Sequence, residues 1–229
     1  MASAPPDAAT RRVPSPEADD YDPREHPYGF PVPPEGATVA AAQAALDGRP
    51  LVLVGLMGVG KTTVGRQVAQ LLDRPFVDAD EAIEAASRMS VADLFELYGE
   101  AEFRSLERRV IDRLLREGGT VLATGGGAFM QDETRAAIAD GALTVWLRAD
   151  LDVLVERTSK KDTRPLLRGG DPRAILAKLM DERHPVYAEA DVEVESTRQR
   201  REVVASRVVH AVARAGTVEA VHDDAGEGT

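Results

Sequence analysis

The sequence predicts an α/β fold, a mainly parallel sheet with helices on both faces. Three observations predict it. Short apolar runs of strand length recur at 51–54, 76–77, 121–123, 144–147 and 192–194. Longer stretches with helical spacing separate them, which is the alternation that parallel sheets require. The first run also leads straight into a glycine-rich loop that opens a helical pattern.

Taken in order, residues 1–37 hold nine of the fourteen prolines and show no apolar periodicity. Proline removes backbone donors and blocks helix, so this stretch is expected to be a disordered tail. Residues 38–215 are expected to form one domain with a single core. The run 51–54 reads as the first strand. Gly55-Leu56-Met57-Gly58-Val59-Gly60-Lys61-Thr62 follows and fits GxxxxGK[ST], and Val64, Val68, Leu71 and Leu72 continue as a helix. Inward-turned N–H groups and a helix N-terminus make such a loop an anion cradle. Lys61 is then expected to reach the β- and γ-phosphates of a nucleotide, with the Thr62 hydroxyl on Mg²⁺.

Asp78-Ala79-Asp80 follows the second run and opens a helix. Loops at the carboxyl ends of parallel strands line ligand sites, which brings both carboxylates near the phosphate loop. One can hold Mg²⁺ through water while the other faces an acceptor hydroxyl; capping of the helix by Asp is the plain alternative. Ser90-Val91-Ala92-Asp93 resembles a capping box. Phe103, Leu106, Val110, Ile111 and Leu114 mark the apolar face of the next helix, with Arg104 beside it. Glu100 and Glu107 stand at i−4 and i+3 from Arg104, so an ion-paired helix face is one reading of that arginine. Gly125-Gly126-Gly127 after the third run allows close backbone approach to a small molecule, or is simply a loop.

The stretch of about 159–171, with Arg164, is basic, polar and flanked by helical patterns. Its composition suits a mobile lid whose arginine stabilises charge during transfer, or an exposed basic loop. Asp171-Pro172 reads as an N-cap with proline at the first helical position. Arg183 lies near Pro185 and Tyr187, and its role stays open on the residues alone. The last segment, 216–229, is small, acidic and expected to be a second disordered tail.

Composition excludes several function classes. The chain of 229 residues has no cysteine, which excludes disulfides, thiolate-bound metals and thiol catalysis. Its four histidines are scattered, which disfavours a multi-histidine metal site. The net charge of −11 disfavours nucleic acid and anionic membranes as partners. Seven acidic and three basic residues lie in 1–37, and four acidic and no basic ones in 216–229; the middle keeps 28 acidic and 25 basic, a net −3. The acidity therefore sits mostly in the expected tails, and anionic ligands of the middle segment are not disfavoured. The N-terminus shows no basic segment followed by an apolar stretch, so a cytoplasmic protein is expected.

The ordered set GLMGVGKTT, DAD, GEAEFR, TGGG, TRPLL and ERHPVYAEAD, spread over about residues 50–197, resembles shikimate kinases. The resemblance implies a P-loop kinase fold of the nucleoside monophosphate kinase type, with a five-stranded parallel sheet in the order 2-3-1-4-5 and a mobile lid. It implies transfer of the γ-phosphate of ATP to the 3-hydroxyl of shikimate, with Mg²⁺. By similarity Gly58, Val59, Gly60, Lys61, Thr62 and Thr63 cradle the ATP phosphates, Thr62 ligates Mg²⁺ and Asp78 supports it through water. Asp80 binds shikimate hydroxyls and takes the attacking proton, within an acceptor-binding region of about 79–107. Arg104 and Arg183 hold the shikimate carboxylate, Gly126 offers a backbone contact, and Arg164 is the lid arginine. Arg157 resembles a residue that stacks near adenine. The family is usually monomeric, which makes a monomer the expectation. Two rival readings are a kinase for another small hydroxy acid of the gluconate type, and a ligand-sensing regulatory domain. The second needs a basic DNA-binding module, which the N-terminal stretch lacks.

Overall fold

The computed structural model describes residues 30, 32–159 and 170–224, with side chains up to 216. Five strands, β1 (Leu51–Val54), β2 (Phe76–Asp78), β3 (Val121–Ala123), β4 (Leu143–Arg148) and β5 (Val192–Glu195), form one sheet in the order β2-β3-β1-β4-β5. Every pairing is parallel. This is the expected fold and strand order. Leu51, Val52, Leu53 and Val54 of the central strand are all fully buried. Cover on both faces explains why that run is continuously apolar. At the edge, β5 alternates instead: Val192 and Val194 are buried, while Glu193 and Glu195 are not. Outward charge on an edge strand discourages further pairing.

The helices are α1 (Gly36–Leu46), α2 (Lys61–Leu71), α3 (Ala79–Ser87), α4 (Val91–Glu117), α5 (Asp132–Gly141), α6 (Leu151–Ser159), α7 (Pro172–Tyr187) and α8 (Arg201–Asp224). Two starts follow the expected capping chemistry. The Ser90 hydroxyl accepts from the Asp93 N–H at 3.1 Å, and the Asp171 carboxylate accepts from the Arg173 N–H at 3.0 Å with Pro172 at the first position. Helix α4 breaks at Gly99, where φ is 79° and ψ 174°. The break separates a short arm, 91–98, from the long segment that buries Phe103, Val110, Ile111 and Leu114. No described helix is long and apolar enough to cross a membrane.

The outer boundaries differ from the expected ones, and this is a correction. Helix occupies 36–37 and, as backbone, 216–224, both of which the sequence assigns to tails. The cause is mutual cover. Helix α1 lies along α8 and buries Ala42 and Leu46, while α8 buries Val208, Val209 and Val212. The sequence of α1 is so rich in alanine that its buried and exposed faces hardly differ in hydropathy, which hides the periodicity. The expected lid and Arg164 lie outside the described residues.

Register positions the site. Leu53 stands opposite both Ala123 and Val145, and Asp78 stands opposite Ala123. The carboxyl ends of β1, β2 and β3 therefore finish level, and the loops that leave them open on one edge of the sheet.

Candidate active site

A cleft of about 760 Å³ opens on that edge. The phosphate loop forms its floor. Lys61, the first residue of α2, turns back over the loop and its Nζ donates to Gly55 O at 2.6 Å and Leu56 O at 3.1 Å. The ammonium thus lies against the loop's carbonyls at Gly55 and Leu56. Thr62 Oγ1 donates to Asp78 Oδ2 at 2.8 Å, while Asp78 Oδ1 accepts from the Asp80 N–H at 3.0 Å. Asp78 thus caps α3 with one oxygen, the plain alternative, and meets the threonine of the phosphate loop with the other. A hydroxyl and a carboxylate oxygen side by side are hard donors, and they fit Mg²⁺ with water completing its shell.

The other end of the cleft is assembled from distant elements. Asp80 comes from α3, Arg104 and Glu107 from α4, the triple glycine from the loop after β3, and Arg183 from α7. The three glycines each face a charged group. A Cβ on Gly125 would fall 2.9 Å from Glu107 Oε1 and 3.0 Å from Asp80 Oδ1. On Gly126 it would stand 3.7 Å from Arg183 Nη1, and on Gly127 it would collide with the Arg104 guanidinium, 2.4 Å from Nη2. The run therefore packs closely against charged side chains of the cleft, which a side chain at Gly125 or Gly127 would displace. Gly126 O accepts from Arg183 Nη1 at 2.9 Å and from the Tyr187 hydroxyl at 2.5 Å. The Gly126 contact with charge is thus made through its carbonyl to the arginine expected to share its ligand.

Arg104 is held on both sides. Its Nη1 donates to Glu107 Oε2 at 2.7 Å and its Nη2 to Glu100 Oε1 at 3.3 Å. Both partners of the ion-paired reading are present, yet Glu107 is only 1% exposed and Arg104 lines the cleft. A buried carboxylate fixes an arginine far more firmly than a solvated pair does. Phe95 and Phe103 flank the same guanidinium, with Cζ 5.8 and 5.2 Å from their ring centres. Among the described residues, Glu107 Oε1 and Arg104 Nε have no hydrogen-bond partner, although both are buried. The site thus retains polar atoms for a ligand or water to satisfy.

Burial governs the titration of this end. It raises the Asp80 carboxyl above its ordinary range; the Asp78 charge adds to the rise and Lys61 opposes it. Glu107 is likewise raised by burial, against the pull of Arg104. The Tyr187 hydroxyl is pushed up to about 12, again chiefly by burial, so it acts as a donor. A carboxylate with a raised pKa beside a phosphate cradle suits proton removal from an acceptor hydroxyl.

Glu107 and Tyr187 are site residues that the sequence names only as neighbours. A signal existed for Glu107: it lies four residues after Phe103 and three before Val110, on the apolar face of α4, where a carboxylate needs a reason to be. Tyr187 lies one helical turn after Arg183, and both reach Gly126 O. Arg157 also stands in the cleft, bonded to Val59 O, Ser196 Oγ and Thr197 O. Among the described residues no group of three or more His, Cys, Asp or Glu could hold a metal.

Comparison with known proteins agrees with this geometry. The family model described as shikimate kinase matches residues 57–213. A shikimate kinase of Mesorhizobium japonicum is 55% identical over 181 residues, which cover 79% of this chain and 89% of that protein. A shikimate kinase of Brucella canis is 56% identical over 168 residues, 73% of this chain and 84% of its own. Among solved structures, the shikimate kinase of Acinetobacter baumannii in complex with shikimate superimposes with a TM-score of 0.71 at 33% identity, covering 76% of this chain and 97% of that one.

Proposed function

The chain belongs to the shikimate kinase family, and from that premise we propose how its cleft divides the work. The reaction is transfer of the γ-phosphate of ATP to the 3-hydroxyl of shikimate, giving shikimate 3-phosphate and ADP on the route to chorismate and the aromatic amino acids. One observation carries the residue assignment: Asp80, Arg183 and Arg104 stand in sequence along three consecutive glycines, next to the phosphate loop. Two guanidinium groups there bind one carboxylate and fix the orientation of the ring that bears it. The hydroxyl on the other side of the ring then falls to Asp80.

The steps follow from these positions. The N–H groups of residues 58–63 and the Lys61 ammonium hold the phosphate chain and neutralise charge that builds up as the phosphoryl group moves. Mg²⁺, on Thr62 and through water on Asp78, supplies further neutralisation of the β- and γ-phosphates when bound. Asp80 orients the attacking hydroxyl and accepts its proton as the new P–O bond forms and the bond to the ADP oxygen breaks. Arg104 and Arg183 stay at a distance from the transfer and act by placing the acceptor in line. A monomer in the cytoplasm completes the proposal.

An ADP-release assay with shikimate, quinate and gluconate as acceptors tests it. ADP release that depends on shikimate, with far less on quinate or gluconate, is expected. Equal release with gluconate would move the assignment to a different hydroxy acid.

A further inference from the structure

The phosphate loop is also held by residues outside its motif. Val59 O accepts two hydrogen bonds, from Ser196 Oγ at 2.7 Å and from Arg157 Nη1 at 3.0 Å. The two donors are themselves joined, since Arg157 Nη1 also donates to Ser196 Oγ at 3.0 Å. Arg157 Nη2 reaches Thr197 O, so the guanidinium ties α6, the phosphate loop and the β5–α8 connection together. Ser196 is 1% exposed, and its own N–H donates to Arg148 O at the end of β4 at 2.6 Å. The hydroxyl is therefore mounted on the sheet, the most rigid part of the molecule.

What that grip controls follows from peptide geometry. The carbonyl of Val59 and the N–H of Gly60 belong to one planar trans peptide and point in opposite directions. Val59 itself stands between Gly58 at φ 82° and Gly60 at φ 102°, both in the left-handed region. That plane turns about Val59 ψ and Gly60 φ; glycine imposes little barrier at the second, so the hydrogen bonds to the Val59 carbonyl add to what the buried Val59 side chain and the Val59 N–H bond to Leu56 O already hold. Ser196 and Arg157 fix the direction of the carbonyl, and with it the opposite direction of the Gly60 N–H, one of the N–H groups assigned to the phosphates.

We propose that Ser196 is a positioning residue for the nucleotide, its hydroxyl fixing the Val59–Gly60 peptide so that the Gly60 N–H faces the phosphates. The inference rests on the reading that this loop binds ATP. It assigns no contact between Ser196 and any ligand. The residue acts on the loop, and the loop acts on the nucleotide.

The test uses the full chain with Ser196→Ala, Ser196→Cys and Ser196→Thr. ADP affinity is measured by titration calorimetry, and KM for ATP and for shikimate by ADP release. Loss of one well-placed hydrogen bond predicts ADP binding about 5- to 20-fold weaker in Ser196→Ala. KM for ATP should rise in step while KM for shikimate stays within about twofold, because the acceptor groups do not touch this peptide. Ser196→Thr keeps the hydroxyl and should restore ADP binding. Should the alanine variant fold poorly, Ser196→Cys, close in volume with a weaker donor, should still show a smaller loss of the same kind. Unchanged ADP affinity in the folded alanine or cysteine variant, or equal rises in both KM values, would overturn the proposal. The calorimetric arm reads it even where shikimate proves not to be the acceptor, so the two failures are distinguishable.

Discussion

At the phosphate end of the cleft, the groups aimed at a ligand are backbone N–H groups and one lysine from a single stretch, 58–63. At the acceptor end they are side chains from α3, α4 and α7, brought together around a glycine run. The first end is shaped locally, by turns that the chain can make from its own sequence. The second exists only once the sheet has formed and the helices have packed. Its charges are also pre-engaged: Arg104 with Glu107 and Glu100, Arg183 with Gly126 O. At the phosphate end Lys61 is engaged too, with Gly55 O and Leu56 O, but within one loop, so a ligand there meets a locally held group. A ligand at the acceptor end joins a network that is already balanced, and so binds by adding to it or replacing part of it.

That difference predicts which changes are severe. Lys61→Ala strikes the phosphate end, where charge develops during transfer. It should lower kcat by about 10²–10³ or more, the scale seen when one charge-stabilising donor is removed. The fold should remain, because Lys61 is half-exposed and contributes nothing to the core. Circular dichroism and thermal unfolding beside the turnover assay check both halves. Retained turnover would mean that the loop's backbone suffices, which would sharpen the contrast to an extreme.

Arg104→Lys and Arg183→Lys strike the acceptor end. Lysine keeps the charge but loses the planar fork, so it cannot pair with a carboxylate through two parallel bonds. KM for shikimate should rise about 10- to 100-fold, as expected for one or two lost charge-assisted bonds, with KM for ATP little changed. Arg104→Lys should also loosen the fold slightly, because it leaves Glu107 buried with a poorer partner. Arg183→Lys should not, since its described partner is a carbonyl that Tyr187 also serves. Equal effects on both KM values would erase the division between the two ends.

How much of each end was legible follows the same line. The phosphate loop is written in consecutive residues with a fixed spacing, so its location and roles could be read directly, and the strand–loop–helix setting is present. The strands β1, β3 and β4 were legible as well, because burial on both faces leaves continuous apolar runs, and the edge strand β5 was legible through its alternating valines. Asp78 was ambiguous between capping and function; one of its oxygens caps α3 and the other lies against the Thr62 hydroxyl, so capping does not use up the carboxylate. At the acceptor end the residues could be listed through the resemblance, but not their mutual support. Nothing local in Gly125–Gly126–Gly127 says that each glycine faces a different charge. Glu107 announced itself only as a carboxylate on an apolar face. Helix α1 stayed hidden because alanine gives a weak periodic signal, although its packing on α8 is what defines the domain's edge.

The smallest expected effect reads the electrostatic state of the acceptor end without any ligand. Burial first, then the Asp78 charge, raises the Asp80 carboxyl above its ordinary value of about 4. Glu107 is raised too, with Asp80 contributing. The sign follows from proton counts. Between the ordinary carboxylate pKa and the raised native one, the folded chain keeps protons that the unfolded chain has released. Stability from these groups is therefore full below that window and is lost as pH rises through it. Asp80→Asn removes one of the two titrations and some of the repulsion on Glu107. Its unfolding free energy, from urea melts at a series of pH values from mildly acidic to neutral, should fall less steeply with rising pH than that of the unaltered chain. Asp78→Ala is the contrasting change at the phosphate end: it removes the cap of α3 and should lower stability across the whole range, while also relieving the Asp78 contribution to the Asp80 rise. A parallel pair of pH profiles for Asp80→Asn and the unaltered chain would mean that Asp80 is solvated like a surface carboxylate. The acceptor end would then be as open as the phosphate end, and the contrast between a preformed cradle and a balanced charge network would not hold.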